Sequence, residues 1–389
     1  MVKELHFEKE DHNIMHVARM ESKELKQAVE LSDRIFLKQP EQPSMGTSFP
    51  LIFDPGVSHS YGAFDEEGKL ASFMGLVPFT MRINAAELRV YSIGSVCTDP
   101  ESRGKGLAGE LLNQCFKHAW RAGASLVFIS GGRSLYTRAG CRPFGRASEH
   151  RMTPETAKRL LGSLNNGWKV REMEPEDLFR VHELLKNRAA AYAASPNELD
   201  KLLGASSFAN VIRLEQKVLT AVKDGEMKAV AVLGVPGTRM TPSRPATLIE
   251  WAGDRQAAAF LLSHALGLYG LQELIVPLAW QDRELSDMLE ASGAAKENIR
   301  NTGTVYLVNG RELLRQIAPL IPEEIAGMLQ AEEEHGPYRY SSGGKTIMLD
   351  DEGLLSLLFD PQSPYREQEN GRNALPVIPL PYTSGLQYI

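Results

Sequence analysis

Val96-Cys97-Thr98-Asp99-Pro100-Glu101-Ser102-Arg103-Gly104-Lys105-Gly106-Leu107-Ala108-Gly109-Glu110-Leu111-Leu112 is the stretch from which the rest of the chain can be placed. It reads as a strand stopped at Pro100, a basic turn bearing two glycines, and a helix. In that helix Leu107, Leu111, Cys115 and Ala108, Leu112, Phe116 recur at four-residue spacing. Gly104 and Gly106 leave backbone N–H groups unshielded at the helix start, where unpaired donors and the positive end of the helix dipole favour an anion. Arg103 and Lys105 add side-chain charge. The chemistry suits a diphosphate. An ordinary strand-turn-helix corner with solvated basic residues would share the glycine pair, but not the whole ordered succession.

Arg103-x-x-Gly106-x-Ala108, preceded by Val96-x-Thr98-x-Pro100 and followed by Leu111-Leu112, resembles the acetyl-CoA signature of the GNAT superfamily of N-acetyltransferases. The resemblance implies that the backbone of Val96, Cys97 and Thr98 lies along the pantetheine arm. It also implies that the N–H groups of Arg103, Gly104, Lys105, Gly106, Leu107, Ala108 and Gly109 hold the pyrophosphate. Leu126 to Ser130 reads as a short buried strand one helix later. In GNAT folds such a strand splays from its neighbour to admit the pantetheine, which brings Ser130, Gly131 and Gly132 to the cofactor.

The following Ser134-Leu135-Tyr136-Thr137-Arg138-Ala139-Gly140 forms one helical turn and resembles the Tyr-x-Arg-x-Gly region of the Eis (enhanced intracellular survival) type. In that family the tyrosine is the general acid, which nominates Tyr136. With a phenol near pKa ~10 and a thiol near ~8.5, delivering the proton to a departing thiolate is uphill by about 2 kcal/mol. A tyrosine that merely packs its ring is the alternative.

At 389 residues the chain exceeds one core, so two or three domains are expected. The start, Met1-Val2-Lys3-Glu4-Leu5-His6-Phe7-Glu8, lacks the apolar region of a signal peptide, and no apolar run approaches the ~20 residues that span a bilayer. A cytoplasmic protein without membrane contact is expected. Cys97, Cys115 and Cys141 are odd in number and without metal-ligand spacing, which fits a reducing compartment and implies no metal. The net charge of -6 and the lack of a basic block argue against nucleic acid. Between Glu312 and Asn370 twelve acidic residues face four basic ones, a lobe that is solvated surface or draws a polycationic substrate.

Along the chain, residues 12–20 read as a strand and 22–37 as an amphipathic helix, followed by a Pro-, Gly- and Ser-rich loop from Pro40 to Pro55. Residues 61–64 and 70–83 pair around Asp65-Glu66-Glu67-Gly68, and 87–98 feeds the motif. After Asn165-Asn166-Gly167 the order of elements repeats, the mark of a duplication. Where the copy needs its phosphate cradle it has Gly253-Asp254-Arg255-Gln256-Ala257-Ala258, whose carboxylate would repel a diphosphate. From Gly310 a helix, a second helix to about Glu334, strands over 338–349 and a short helix over 352–359 follow. Asp350-Asp351-Glu352-Gly353-Leu354-Leu355 resembles the late segment of the sterol-carrier-like domain of Eis-type proteins. The tail from Leu375 to Ile389 carries three prolines and an apolar, aromatic end, so it should dock. The Eis resemblance brings the last carboxylate, here that of Ile389, into the active site as general base. Plain docking of a hydrophobic terminus is the alternative.

The expected fold is α+β: two tandem GNAT-like mixed-sheet lobes at 1–160 and 165–308, the second degenerate, then a sterol-carrier-like α/β domain at 309–389 with a docked tail. The expected activity is transfer of an acetyl group from acetyl-CoA to a primary amine of an aminoglycoside or polyamine-like small cation, by direct attack in a ternary complex. The rivals are a protein or peptide lysine or N-terminal acetyltransferase and a non-catalytic CoA-binding regulator. A closed acidic pocket would favour the small cation, and an open groove the peptide. The resemblance also implies a homo-oligomer.

Overall fold

Gly68 closes the Asp65–Gly68 turn with φ +78°, a left-handed conformation that costs glycine little, and the flanking segments pair from there. The computed structural model describes residues 15–164, 167–333, 336–366 and 374–389. The expected start of the first strand at His12, the junction at Asn165-Asn166 and the helix end at Glu334 lie outside the described residues.

The first half runs β1 (His16–Arg19), α1 (Leu25–Phe36), α2 (Met45–Ser48), α3 (Pro50–Phe53), β2 (Tyr61–Phe64), β3 (Leu70–Ile83) and β4 (Ala86–Thr98). It continues through α4 (Leu107–Arg121), β5 (Leu126–Ile129), α5 (Ser134–Arg138), β6 (Ala147–Met152) and α6 (Pro154–Ser163). The second half runs β7 (Lys169–Glu172), α7 (Leu178–Lys186), β8 (Ala190–Tyr192), α8 (Pro196–Ala205), α9 (Ser207–Val211), β9 (Glu215–Lys223) and β10 (Glu226–Val235). Then come β11 (Ala246–Gly253), α10 (Arg255–Leu268), β12 (Leu274–Ala279), α11 (Arg283–Ala291), β13 (Ala295–Ile299) and β14 (Thr304–Leu307). The last part holds α12 (Gly310–Ile317), β15 (Leu329–Ala331), β16 (Tyr338–Ser342), β17 (Lys345–Leu349) and α13 (Asp351–Phe359).

Two seven-stranded mixed sheets result, ordered β1-β2-β3-β4-β5-β14 with β8 beside β3, and β13-β6-β12-β11-β10-β9-β7. Each has one parallel pair, β4 with β5 and β11 with β12, among antiparallel neighbours. The sheets do not follow the limits expected at 160 and 308. Strand β6, from the first half, lies between β12 and β13, while β14, from the second, pairs with β5. The exchange covers the edges that β5 and β12 would otherwise leave unpaired. The third sheet is the antiparallel meander β15-β16-β17.

Helix α4 buries Leu107, Leu111, Leu112, Cys115, Phe116 and Ala119, the stripe its spacing predicted. The segment expected as a loop from Pro40 to Pro55 instead forms α2 and α3. Ser44 caps α2 through the Gly46 N–H, Asp33 accepts from the Met45 N–H at 2.6 Å, and Pro50 starts α3. Met45, Phe49, Leu51, Ile52 and Phe53 are buried there, so tertiary packing overrides the breaker-rich composition. The expected second helix to Glu334 is a 3-10 turn at Glu323–Met328 that gives way to β15.

Under α4 the side chains of two sheet strands and the helix meet in an aromatic cluster. His59 Nδ1 lies 2.9 Å from the Tyr91 hydroxyl, and His118 bonds Tyr91 through Nε2 (3.2 Å) and Tyr61 through Nδ1 (3.1 Å). Burial, the facing His59 and the nearby Arg19 and Arg121 hold His118 down to about 4, and burial with Arg19 also lowers His59. Both groups bind protons more weakly when folded. The unfolded chain therefore takes up more protons as pH falls from the ordinary histidine value toward 4, and stability is lost across that window. Urea midpoints should fall as pH is lowered from about 6.5 to about 4, and His118→Gln should flatten that fall.

Candidate active site

Strands β4 and β5 are paired only from Val90–Leu126 to Ile93–Ile129, with a last bond from the Ser130 N–H to the Ile93 carbonyl at 3.3 Å. Past that point β4 continues to Thr98 along β3 alone. Its register to β3 shifts between Phe73–Cys97 and Gly75–Gly94, so β4 carries an extra residue, and Ser95 takes φ +49° at this bulge. A non-glycine residue with positive φ is a strained conformation that surrounding structure must hold. The Ser95 hydroxyl is buried and finds no partner among the described residues.

The loop beyond β4 is anchored before it opens. Asp99 accepts from the Glu101 N–H (3.1 Å) and pairs with Arg34 of α1 (2.5 Å). Arg103, Gly104, Lys105 and Gly106 are then exposed, with Gly104 at φ +82° and Gly106 at φ +79°. A Cβ on either glycine, or on Gly109, would meet no atom within 4 Å, so the space over the helix start is open. No side chain caps α4, and the N–H groups of residues 104–108 meet no acceptor among the described residues. This is an open nest of donors whose polarity suits a diphosphate. Leu107 is buried, with Ala108 and Gly109 half-buried behind the loop.

The three β4 residues do different things. Val96 lines the cleft. Thr98 turns to Ser72, hydroxyl to hydroxyl at 2.8 Å. Cys97 points toward α1, where its thiol lies 3.6 Å from the Ser32 hydroxyl and burial pushes it up to about 11. Only the backbone of Cys97 is therefore available to a ligand in the gap.

Tyr136, on α5, is buried at 5 % exposure with its edge in the cleft, and its hydroxyl meets no partner among the described residues. Burial pushes this phenol up to about 12, against the opposing charge of Arg133. Gly131 gives the ring room, since a Cβ there would stand 3.3 Å from Tyr136 Cε2, and its carbonyl accepts from the Thr304 hydroxyl at 3.0 Å. Ser130 shares a hydrogen bond with the Tyr388 hydroxyl, while Gly132 is exposed.

The tail reaches the same place. Asn301 Oδ1 accepts from the Thr383 N–H (3.0 Å) and hydroxyl (2.9 Å), and its Nδ2 donates to the Pro381 carbonyl at 2.9 Å. Glu250 accepts from the Leu386 N–H and is itself paired with the half-buried Arg188, which also holds Asp282 at 3.1 Å. Gly385 lies close beside that carboxylate, where a Cβ would overlap Glu250 Oε2 unless the side chain shifted. Tyr388 then packs on Phe49 and Phe208. Ile389 ends the chain against Gly94, where a Cβ would overlap the terminal carbonyl group.

Tyr136 and the Ile389 terminus thus share one cavity of about 250 Å³. Its wall includes residues that sequence reasoning did not single out: Lys38, Gln42, Met45, Phe49, Ser95, Asn210, Arg213 and Tyr388. The Met45–Phe49 spacing between prolines was the one local sign that the segment packs instead of looping. In the second sheet the equivalent helix start is closed: Asp254 accepts from the Ala257 N–H at 2.9 Å and so fills the end of α10 itself. Among the described residues no group of three or more His, Cys, Asp or Glu is placed to hold a metal ion. No described helix is long and apolar enough to cross a membrane.

Residues 16–144 match the family model of the acetyltransferase (GNAT) domain. The chain therefore carries a GNAT acetyltransferase domain, which makes it an enzyme of the N-acetyltransferase class with acetyl-CoA as acyl donor. Among solved structures it is similar to a GCN5-related N-acetyltransferase from Anabaena variabilis, at 12 % identity and TM-score 0.66, over 89 % of this chain and 90 % of that one. It is also similar to a probable N-acyltransferase from Enterococcus faecalis, at 13 % identity and TM-score 0.63, over 87 % of this chain and 83 % of that one. A third is Eis1 from Mycobacterium abscessus, at 12 % identity and TM-score 0.55, over 87 % and 85 %. At such identities the likeness is one of fold. No curated protein sequence matches significantly.

Gly94→Ala should push the terminus off β4, at a cost of about 1–3 kcal/mol in unfolding free energy. Carboxypeptidase should then release Ile389 faster than from the parent chain.

Proposed function

We propose that this chain moves the acetyl group of acetyl-CoA to a primary amine by direct attack in a ternary complex. The supporting observation is that a tyrosine with an unbonded hydroxyl and Ile389 share one cavity where β4 and β5 diverge, while an open nest of N–H donors follows the same strand β4. The thioester is already activated, so positioning the two substrates supplies much of the rate without a covalent enzyme intermediate.

The neutral amine attacks the thioester carbonyl carbon. The C–N bond forms and the C–S bond breaks. The ammonium proton passes to the carboxylate of Ile389, directly or through water, and the departing thiolate takes the Tyr136 proton. Donors of β4 beyond Ile93, which have no β5 beside them, face the developing oxyanion. A free α-carboxyl near pKa ~3.5 is a feeble base, which favours passage of the proton through water over direct abstraction. A phenol at about 12 against a thiol near ~8.5 makes the second proton transfer uphill by about 5 kcal/mol. The same dry surroundings penalise the thiolate, which narrows that gap.

The assignments of Val96–Thr98, Arg103–Gly109 and Ser130–Gly132 to acetyl-CoA belong to this reading. So do the Eis type and the division into a catalytic lobe near 1–160, a second lobe near 165–308 that takes no CoA, and a sterol-carrier-like part from 309. They are supported by the fold likeness to Eis1, the Asp254-filled helix end and the β15–β17 meander with its helices. Cytoplasmic residence and assembly into a homo-oligomer are proposed with them, the three buried free thiols suiting a reducing compartment. The aminoglycoside or polyamine acceptor has less support, because the cavity wall offers such a cation no carboxylate side chain.

Tyr136→Phe should lower kcat by about 10²–10⁴ while leaving acetyl-CoA affinity by calorimetry within about twofold. Unchanged turnover would reduce Tyr136 to a packing residue. Deleting Ile389 should lower kcat as well, and Gly106→Val, which closes the nest, should weaken acetyl-CoA binding at least about tenfold. Because Tyr136 stays protonated, activity should climb with pH toward the amine's own pKa, without an alkaline decline between about pH 7 and 10.

A further inference from the structure

The charged side chains that line the cavity are all of one sign. Lys38 follows α1, Arg133 precedes α5, and Arg213 follows α9, so three separate elements bring cations to the cavity lining. None of the three forms an ion pair among the described residues. The Lys38 ammonium donates only to the Ile35 carbonyl (3.1 Å), and Arg213 uses its Nε on the Thr241 carbonyl (2.8 Å), which leaves its remaining N–H donors for another partner. No Asp or Glu lines the cavity; its one anion is the α-carboxylate that the proposed reading gives to Ile389.

Between the cations and that carboxylate the wall is apolar, from Phe36, Met45, Phe49 and Val211, with the orphaned Ser95 hydroxyl at the β4 bulge. A polycation entering here would meet like charges at the rim and one carboxylate inside. Like-charge opposition at an interface costs several kcal/mol, whereas complementary potentials both steer and select the ligand. At about 250 Å³ the cavity also falls below the size of most drug-sized sites.

We infer that the acceptor is a small zwitterion: a primary amine that also bears a carboxylate or phosphate, joined by a short apolar or aromatic spacer. Its amine faces the Ile389 carboxylate and its anion faces Lys38, Arg133 and Arg213. This inference rests on the transferase reading above. The three cations are specificity residues, since they hold the part of the substrate that does not react.

The test uses the full chain, acetyl-CoA and matched acceptors. Phenylalanine and glutamate supply carboxylates, phosphoethanolamine and glucosamine 6-phosphate supply phosphates, and phenylalanine amide is the charge-free control. Spermidine, kanamycin and a lysine peptide supply the alternatives. The expected result is a kcat/KM at least about tenfold higher for an anionic acceptor than for its uncharged counterpart, carried mainly by KM and weakened by added salt. Lys38→Glu and Arg133→Glu, both at exposed positions, should raise that KM at least about tenfold together and improve spermidine, with the thermal midpoint unchanged. Whichever of the carboxylates or phosphates responds identifies the anion. If amines are acetylated but the cations or the peptide lead and the reversals do nothing, the transferase reading stands and the charge assignment fails. If no amine is acetylated, the transferase reading fails and this inference goes with it.

Discussion

Parallel pairing between β4 and β5 stops at Ile93 and Ile129, and most of what matters in this molecule follows from that divergence. A strand pair that stayed closed to Thr98 would have no room for a pantetheine arm and no unpaired donors facing it. The bulge at Ser95 enforces the separation. An extra residue in β4 with positive φ turns the strand away and leaves Gly94 bare toward the cleft. Gly94 is then the surface on which the chain's own end comes to rest.

The second half of the chain serves the first through that end. Its sheet repeats the layout of a parallel pair flanked by antiparallel strands, but Asp254 satisfies the helix end that an anion would otherwise occupy. The second half of the chain also holds the tail: Asn301 and Gln281 bond to it, and the half-buried Arg188–Glu250–Asp282 group braces it. Burying three charges together is costly unless every partner is satisfied. Here Arg188 pairs with both carboxylates, and Glu250 uses its remaining capacity on the tail's backbone. The exchanged strands β6 and β14 tie each half of the chain into the other's sheet.

Much of this could be read from residue order. The Arg103–Ala108 loop, the apolar stripe of α4, the hairpin at Asp65–Gly68 and the docking of an apolar tail are local patterns, and each is present as expected. The misses share a cause. Strands β6 and β13 are polar and alternate weakly, so they become strands only by finding partners in the other half of the chain. Helices α2 and α3 sit among prolines and glycine, yet they form because Met45, Phe49 and Ile52 have a core to enter. Lys38, Ser95 and Arg213 carry no motif, and their common wall is set by three elements far apart in sequence.

Residue order alone settled the local conformations: where a strand must stop, where glycine permits positive φ, and which face of a helix is apolar. Those are decided by sterics and periodicity within about one helical turn or one pleat. Which edge each strand joined, where Ile389 came to rest and the sign of charge around the cleft arose only on folding. Each depends on long-range pairing and burial between residues that no local rule connects.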